Sequence, residues 1–158
     1  MKTPTCFRQV KLISACTFSF LLLMIFYSAT ANGICVQNDR ANLRQGPGTH
    51  FKKIWEVYQY MPFKKLKRQG DWLRMEDVDG DIYWAHKKLM TDDFKCAVIK
   101  EDDTNLRIGP GTNFPKAKGS PAPKFYVMKV LKIDKNWVYG VDAAGDKAWV
   151  YHPLVWVK

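Results

Sequence analysis

Beyond its N-terminal segment, the chain alternates short apolar and aromatic runs with turn residues, and no stretch sustains helical periodicity. Ile54 to Tyr60 carries Ile54, Trp55, Val57, Tyr58 and Tyr60, a β-branched and aromatic run that predicts a strand. Pro62 breaks that run, and Phe63 to Arg68 follows as another strand. Trp72 to Val78 and Ile82 to Ala85 flank Asp79-Gly80, a dipeptide favoured in tight hairpins. The same arrangement recurs as Trp137 to Val141, Ala144-Gly145 and Lys147 to Val150. Asn42-Leu43-Arg44 is a short extended piece leading into Gly46-Pro47-Gly48, where glycine permits positive φ and proline fixes φ near about −65°. The Pro-containing tract 118–123 predicts a loop, and His86 to Leu89 a single 3₁₀ turn.

The pattern is duplicated. Asn42 to Phe51 returns 63 residues later as Asn105 to Phe114, with eight of ten positions identical. Cys35 matches Cys96 at an offset of 61, and from Leu66/Leu131 onward the offset is 65. In that last frame Trp72 falls on Trp137, Asp77 on Asp142, Gly80-Asp81 on Gly145-Asp146, Trp84 on Trp149 and Leu89 on Leu154. So dense a match predicts a duplicated structural unit, spanning residues 32–93 and 94–158. Units of about sixty residues bury proportionally little surface, and that size favours a binding module over an enzyme.

Residues 1–31 are expected to be a signal peptide. Lys2, Arg8 and Lys11 precede an apolar run from Leu12 to Tyr27, and Ala29-Thr30-Ala31 supplies the small residues of a cleavage site after Ala31. The run is short against the roughly 20 apolar residues of a membrane span, so no stable span is expected after cleavage. Ile13-Ser14-Ala15-Cys16 resembles a lipobox, but the apolar run continues eleven residues past Cys16, where a lipobox would close it. Export implies a periplasmic or extracellular envelope location. It also changes the charge: 22 basic against 15 acidic residues remain, a net +7, with +2 on the first unit and +5 on the second. A cationic exported protein favours anionic surfaces such as wall polymers.

Cleavage leaves Cys35 and Cys96 as the only cysteines, at matching positions. A catalytic thiol or metal ligand would need partners, and no CxxC or nearby histidine supplies them. A disulfide tying unit to unit is the expectation in an oxidising compartment. Closing so long a loop contributes about 4 kcal/mol in the chain-entropy model.

Other chemistry is sparse. The acidic run Glu76 to Asp81 places its glycine too early for an EF-hand and reads as a hairpin turn. No HExxH or nucleophile–base spacing accompanies His50, His86 and His152. We therefore expect no catalytic site, no metal and no cofactor. The run Lys64 to Arg68 reads as a solvated strand edge around a core Leu66, not as a nucleic-acid site. Arg44 and Arg107 have two readings beside the rigid turn: binding a carboxylate through a bidentate fork, or holding the turn by its carbonyls. The repeated Trp72, Trp84, Trp137 and Trp149 are expected in structural roles. The unrepeated aromatics Trp55, Tyr58, Tyr60 and Tyr83 are the better ligand candidates, with Lys52, Lys53, Lys64 and Lys65 around them.

Asn-Leu-Arg-x-Gly-Pro-Gly-Thr, a later Leu66 with Trp72, and a closing Trp84 with Leu89 resemble the bacterial SH3 (SH3b) family, as do Asn105 to Thr112, Leu131 with Trp137, and Trp149 with Leu154. The resemblance implies an all-β fold of two tandem small SH3-like β-barrels. It also implies non-catalytic recognition of cell-wall peptidoglycan or its peptide stems. An envelope protein–protein adaptor and a small wall hydrolase are the alternatives.

Overall fold

The computed structural model describes residues 33–158; the expected signal peptide and its cleavage point lie outside the described residues. The described chain is all-β. Its strands are β1 (Gly33–Val36), β2 (Arg40–Arg44), β3 (Lys53–Tyr58), β4 (Pro62–Gln69), β5 (Trp72–Glu76), β6 (Ile82–His86), β7 (Met90–Thr91), β8 (Cys96–Ile99), β9 (Val127–Asp134), β10 (Trp137–Val141), β11 (Lys147–Tyr151) and β12 (Val155–Val157). Single 3₁₀ turns at Lys87–Leu89 and His152–Leu154 are the only helical elements among the described residues, and no helix there is long and apolar enough to cross a membrane.

The strands make two antiparallel sheets, in the orders β3-β2-β6-β5-β4-β1-β7 and β11-β10-β9-β8-β12. Both are open at their edge strands and do not close into barrels. In the first, β2 meets β6 through one residue pair, Arg44 with Trp84. In the second, no strands correspond to β2 and β3. Arg107 makes isolated bridges to Lys116 and Trp149, and Thr104 one to Ala122, because the proline tract 118–123 occupies the space as a loop. Period-two alternation sets the faces: along β5 Leu73 and Met75 point inward, and along β10 Val138 and Gly140 do.

The hairpins sit where Asp79-Gly80 and Ala144-Gly145 predicted them. Asp77 Oδ1 accepts the N–H groups of Asp79 and Asp81 at 3.0 and 2.9 Å, and Asp142 Oδ1 accepts those of Ala144 and Asp146, each at 2.9 Å. Tyr126 adds a 2.7 Å bond to Asp142 Oδ2, and burial together with that carboxylate pushes its phenol well above the usual range.

Four local readings are corrected. Pro62 does not separate strands but begins β4, a position where its missing N–H costs no ladder bond. Tyr60 lies outside β3, in a tight turn at φ 71°. Leu66 and Leu131 are not core residues: each is the extra residue of a β-bulge, skipped between Lys65 and Lys67 and between Val130 and Lys132, and Leu131 is 46% exposed. The basic run is an edge only in part: β4 lies between β5 and β1, but β1 pairs no further than Lys64, and beyond it Lys67 to Gln69 are exposed.

The halves share a seam. Cys35 on β1 and Cys96 on β8 form a fully buried disulfide with Cα atoms 6.1 Å apart, within the usual bridging range. Val98 belongs to the first half's core, and Phe125, Val127 and Trp156 pack against it. The Phe125 ring stands edge-on to Trp55 at 5.6 Å, and Lys124 reaches Asp79 at 3.0 Å.

Two measurements follow from this framework. Complete reduction, verified by thiol titration, is expected to cost about 2–5 kcal/mol and lower the thermal midpoint; an unchanged midpoint refutes a stabilising bridge. Asp77 is buried, and that burial raises its pKa above the ordinary 3.8 despite two N–H donors. The folded state therefore holds the Asp77 proton more tightly than the unfolded chain. Its contribution favours folding near and below pH 3.8 and is lost as pH rises through the raised value. Asp77→Asn, which keeps the acceptor oxygen, should gain on the natural protein from pH 4 to pH 7 in urea midpoint, whereas a parallel pair of profiles contradicts this.

Candidate functional site

The repeated motif builds a stapled turn. Gly48 N–H bonds Gly46 O at 3.0 Å, Phe51 N–H bonds Gly48 O at 3.3 Å, and the Phe51 ring covers Gly46 so closely that a Cβ there would lie 2.5 Å from the ring. Arg44 Nη1 donates to Thr49 O and Phe51 O at 3.0 and 2.7 Å. In the second half Arg107 Nη1 donates to Phe114 O at 2.6 Å, and Phe114 covers Gly109 in the same way. Glycine is required at these positions by space, and the arginine fixes the turn from one side. Both guanidiniums make these bonds while still lining an open groove.

The grooves occupy corresponding places. The first, about 320 Å³, is lined by Asn42, Arg44, Thr49, Trp72, His86, Lys88 and Leu89. The second, about 760 Å³, uses Asn105, Arg107, Thr112, Trp137, Tyr151 and Leu154, with Gly111, Asn113 and residues 101–104 extending it. Six positions therefore recur in one frame, five of them with identical residues. Register explains the aromatic wall: Trp72 pairs with His86 across β5 and β6, and Trp137 with Tyr151 across β10 and β11. Their rings lie 5.4 and 5.6 Å apart. Each tryptophan is half-buried, one part holding the sheet and one part facing the groove. His86 Nδ1 accepts Lys88 N–H at 3.2 Å, so the 3₁₀ turn fixes that ring.

The other sequence candidates do not join these grooves. Trp55 and Tyr58 line a small cavity of about 190 Å³ with Met61, Phe125 and Val127, at the seam between halves. Tyr83 packs on Trp55 at 6.3 Å, and Tyr60 packs edge-on against Phe94 at 5.7 Å. Tyr58 is 61% exposed, under the Arg40 guanidinium. Lys53 and Lys64 are paired with Glu56 and Glu76. Of the residues singled out, the structure thus places Arg44 and Arg107 in corresponding grooves and the four aromatics along or near the seam. Trp72 and Trp137 are the groove residues that the sequence reading assigned to structure; their duplication was the signal that marked them. Among the described residues no cluster of three or more metal-ligating side chains occurs.

Comparison with known proteins gives this geometry a relation. Residues 37–92 match the family model described as bacterial SH3 domain. The chain is 25% identical over 139 residues to YrvJ of Bacillus subtilis (strain 168), a protein carrying the name of an N-acetylmuramoyl-L-alanine amidase. The match takes in 80% of this chain but 26% of that protein, so the chain spans about a quarter of its relative's length. Among solved structures, an NlpC/P60 family protein from Bacillus cereus ATCC 10987 is similar at 11% identity and a TM-score of 0.37, over 80% of this chain and 56% of that one. NlpC2 from Trichomonas vaginalis is similar at 9% identity and a TM-score of 0.35, over 79% and 48%. The stapled turn, the Trp72 wall and the hairpin at Asp77 thus lie within the one segment, residues 37–92, that matches the bacterial SH3 domain model.

Proposed function

We propose that the protein is an exported, non-catalytic binding module of the bacterial cell envelope, with two SH3b-like units that recognise peptidoglycan or its peptide stems. The observation that carries this reading is the recurrence of one groove frame, Asn-x-Arg, Thr, Trp and Leu, in both halves. A fold that needed these residues for packing alone would not have to leave them facing open grooves. Arginine beside an aromatic wall suits a peptide bearing carboxylates and amides. The relation of the SH3 domain to a larger protein named as an amidase supports a wall-associated role.

We assign no hydrolysis to this chain. Acyl or amide hydrolysis needs a nucleophile within hydrogen-bond reach of a base. The described cysteines are joined to each other, and His86 spends its Nδ1 on a backbone N–H. The exposed Tyr58 on edge strand β3 favours the second reading, an envelope adaptor that docks a partner at that edge.

Co-sedimentation with purified peptidoglycan sacculi across a salt series tests the proposal. Saturable pelleting that persists at high salt is expected, and Trp72→Ala or Trp137→Ala should weaken it about tenfold, the scale of an aromatic hot spot. Trp→Phe variants with unchanged circular dichroism control for folding and should retain more binding. Pelleting that vanishes with salt reduces the effect to a cationic protein on an anionic polymer, and no pelleting at any salt favours the adaptor reading.

A further inference from the structure

The two grooves share a frame but not a charge. The first presents Arg44 and Lys88 beside His86 and has no carboxylate in its lining. The second presents Arg107 with Glu101, Asp102 and Asp103. The formal balance therefore passes from +2 to −2 between corresponding sites. The difference comes from positions outside the constant frame. Lys88 corresponds to Pro153, and Glu101 and Asp103 correspond to Asn38 and Arg40. The second groove carries a sign its own half does not predict: that half is the more basic, at +5 against +2, yet holds the acidic groove.

The two arginines donate to turn carbonyls, but no opposite charge neutralises these groups. None of Glu101, Asp102, Asp103, Arg107, Arg44 or Lys88 forms an ion pair with a described residue, although the surface elsewhere is well paired. Asp102 accepts one backbone bond, from Lys124 N–H at 2.8 Å. Charges left unpaired around a concave, low-dielectric wall set the field a ligand meets there. In the second groove that wall is Trp137 with Tyr151, two π faces that attract a cation in addition to the carboxylates.

We infer that the grooves are complementary readers: the first takes a carboxylate-bearing group, and the second takes an ammonium group of a peptide, held between its carboxylates and the Trp137–Tyr151 wall. This deepens the peptide-stem reading and rests on it for the identity of the natural ligand. The chemistry of each groove can be tested without that ligand.

The indole N–H signals of Trp72 and Trp137 provide one reporter per groove in the ¹⁵N-labelled, disulfide-bonded protein. The probes are acetyl-Gly-Lys-Gly-amide and acetyl-Gly-Glu-Gly-amide, each with one charged side chain and no charged terminus. The lysine peptide is expected to move Trp137 with at least fivefold tighter binding than the glutamate peptide, and the glutamate peptide to show the reverse preference at Trp72. Glu101→Gln with Asp103→Asn, both at exposed positions, should abolish the preference at Trp137 and leave Trp72 unchanged. Equal responses of both indoles to either peptide, or no response to either, overturns the proposal. Sacculus binding without peptide discrimination overturns this inference and leaves the wall-binding reading intact; discrimination without sacculus binding supports this inference and counts against wall binding.

Discussion

The seam between the halves is the constraint on which the rest of the molecule depends. Each half is too small to bury a generous core, and the first completes its own with Val98, Phe125, Val127 and Trp156 from the second. Phe125 is wedged against Trp55, while the Cys35–Cys96 bridge joins the entering strands. The bridge restricts the unfolded chain, and the ring supplies apolar contact in the folded one. These two contributions act on opposite sides of the same equilibrium.

That seam also explains why the unrepeated aromatics misdirected a sequence reading. An aromatic lacking a counterpart in the other copy looks free for recognition. Trp55 and Tyr83 instead lie at the seam, where a single interface joins the two halves and residues need not match between them. Conversely, Trp72 and Trp137 looked structural because they were repeated. A half-buried tryptophan on a thin sheet holds the sheet and faces the groove at once, so the recurrence of Trp72 as Trp137 fits either role.

Much of the fold was nevertheless legible. Alternation over Trp72 to Glu76 and the Asp-Gly dipeptide dictated the hairpin, and the expectation of export made the disulfide a sound inference for two matched cysteines. What stayed hidden depends on tertiary context. Pro62 as a strand start, Tyr60 at positive φ and the open edges of both sheets each follow from which strand lies alongside, and spacing does not specify that. The opposite charges of the grooves were in the sequence throughout, but only folding brings Glu101 to Asp103 beside Trp137.

The matched bulges carry one further implication. Side chains alternate faces with a period of two, so the extra residue at Leu66 reverses the parity of everything after it in β4, and Leu131 does the same in β9. The shift brings Lys67 over Trp84, 5.4 Å from its ring, and Lys132 over Trp149, at 5.8 Å. Removing the bulged leucine itself would leave Lys65 opposite Met75 and Lys67 opposite Arg74, and so keep both faces, whereas a deletion elsewhere in the strand would exchange them between the deletion and the bulge. When related sequences are aligned, a single-residue gap belongs at the bulge; placed a few positions away, it assigns core residues to solvent along the rest of the strand.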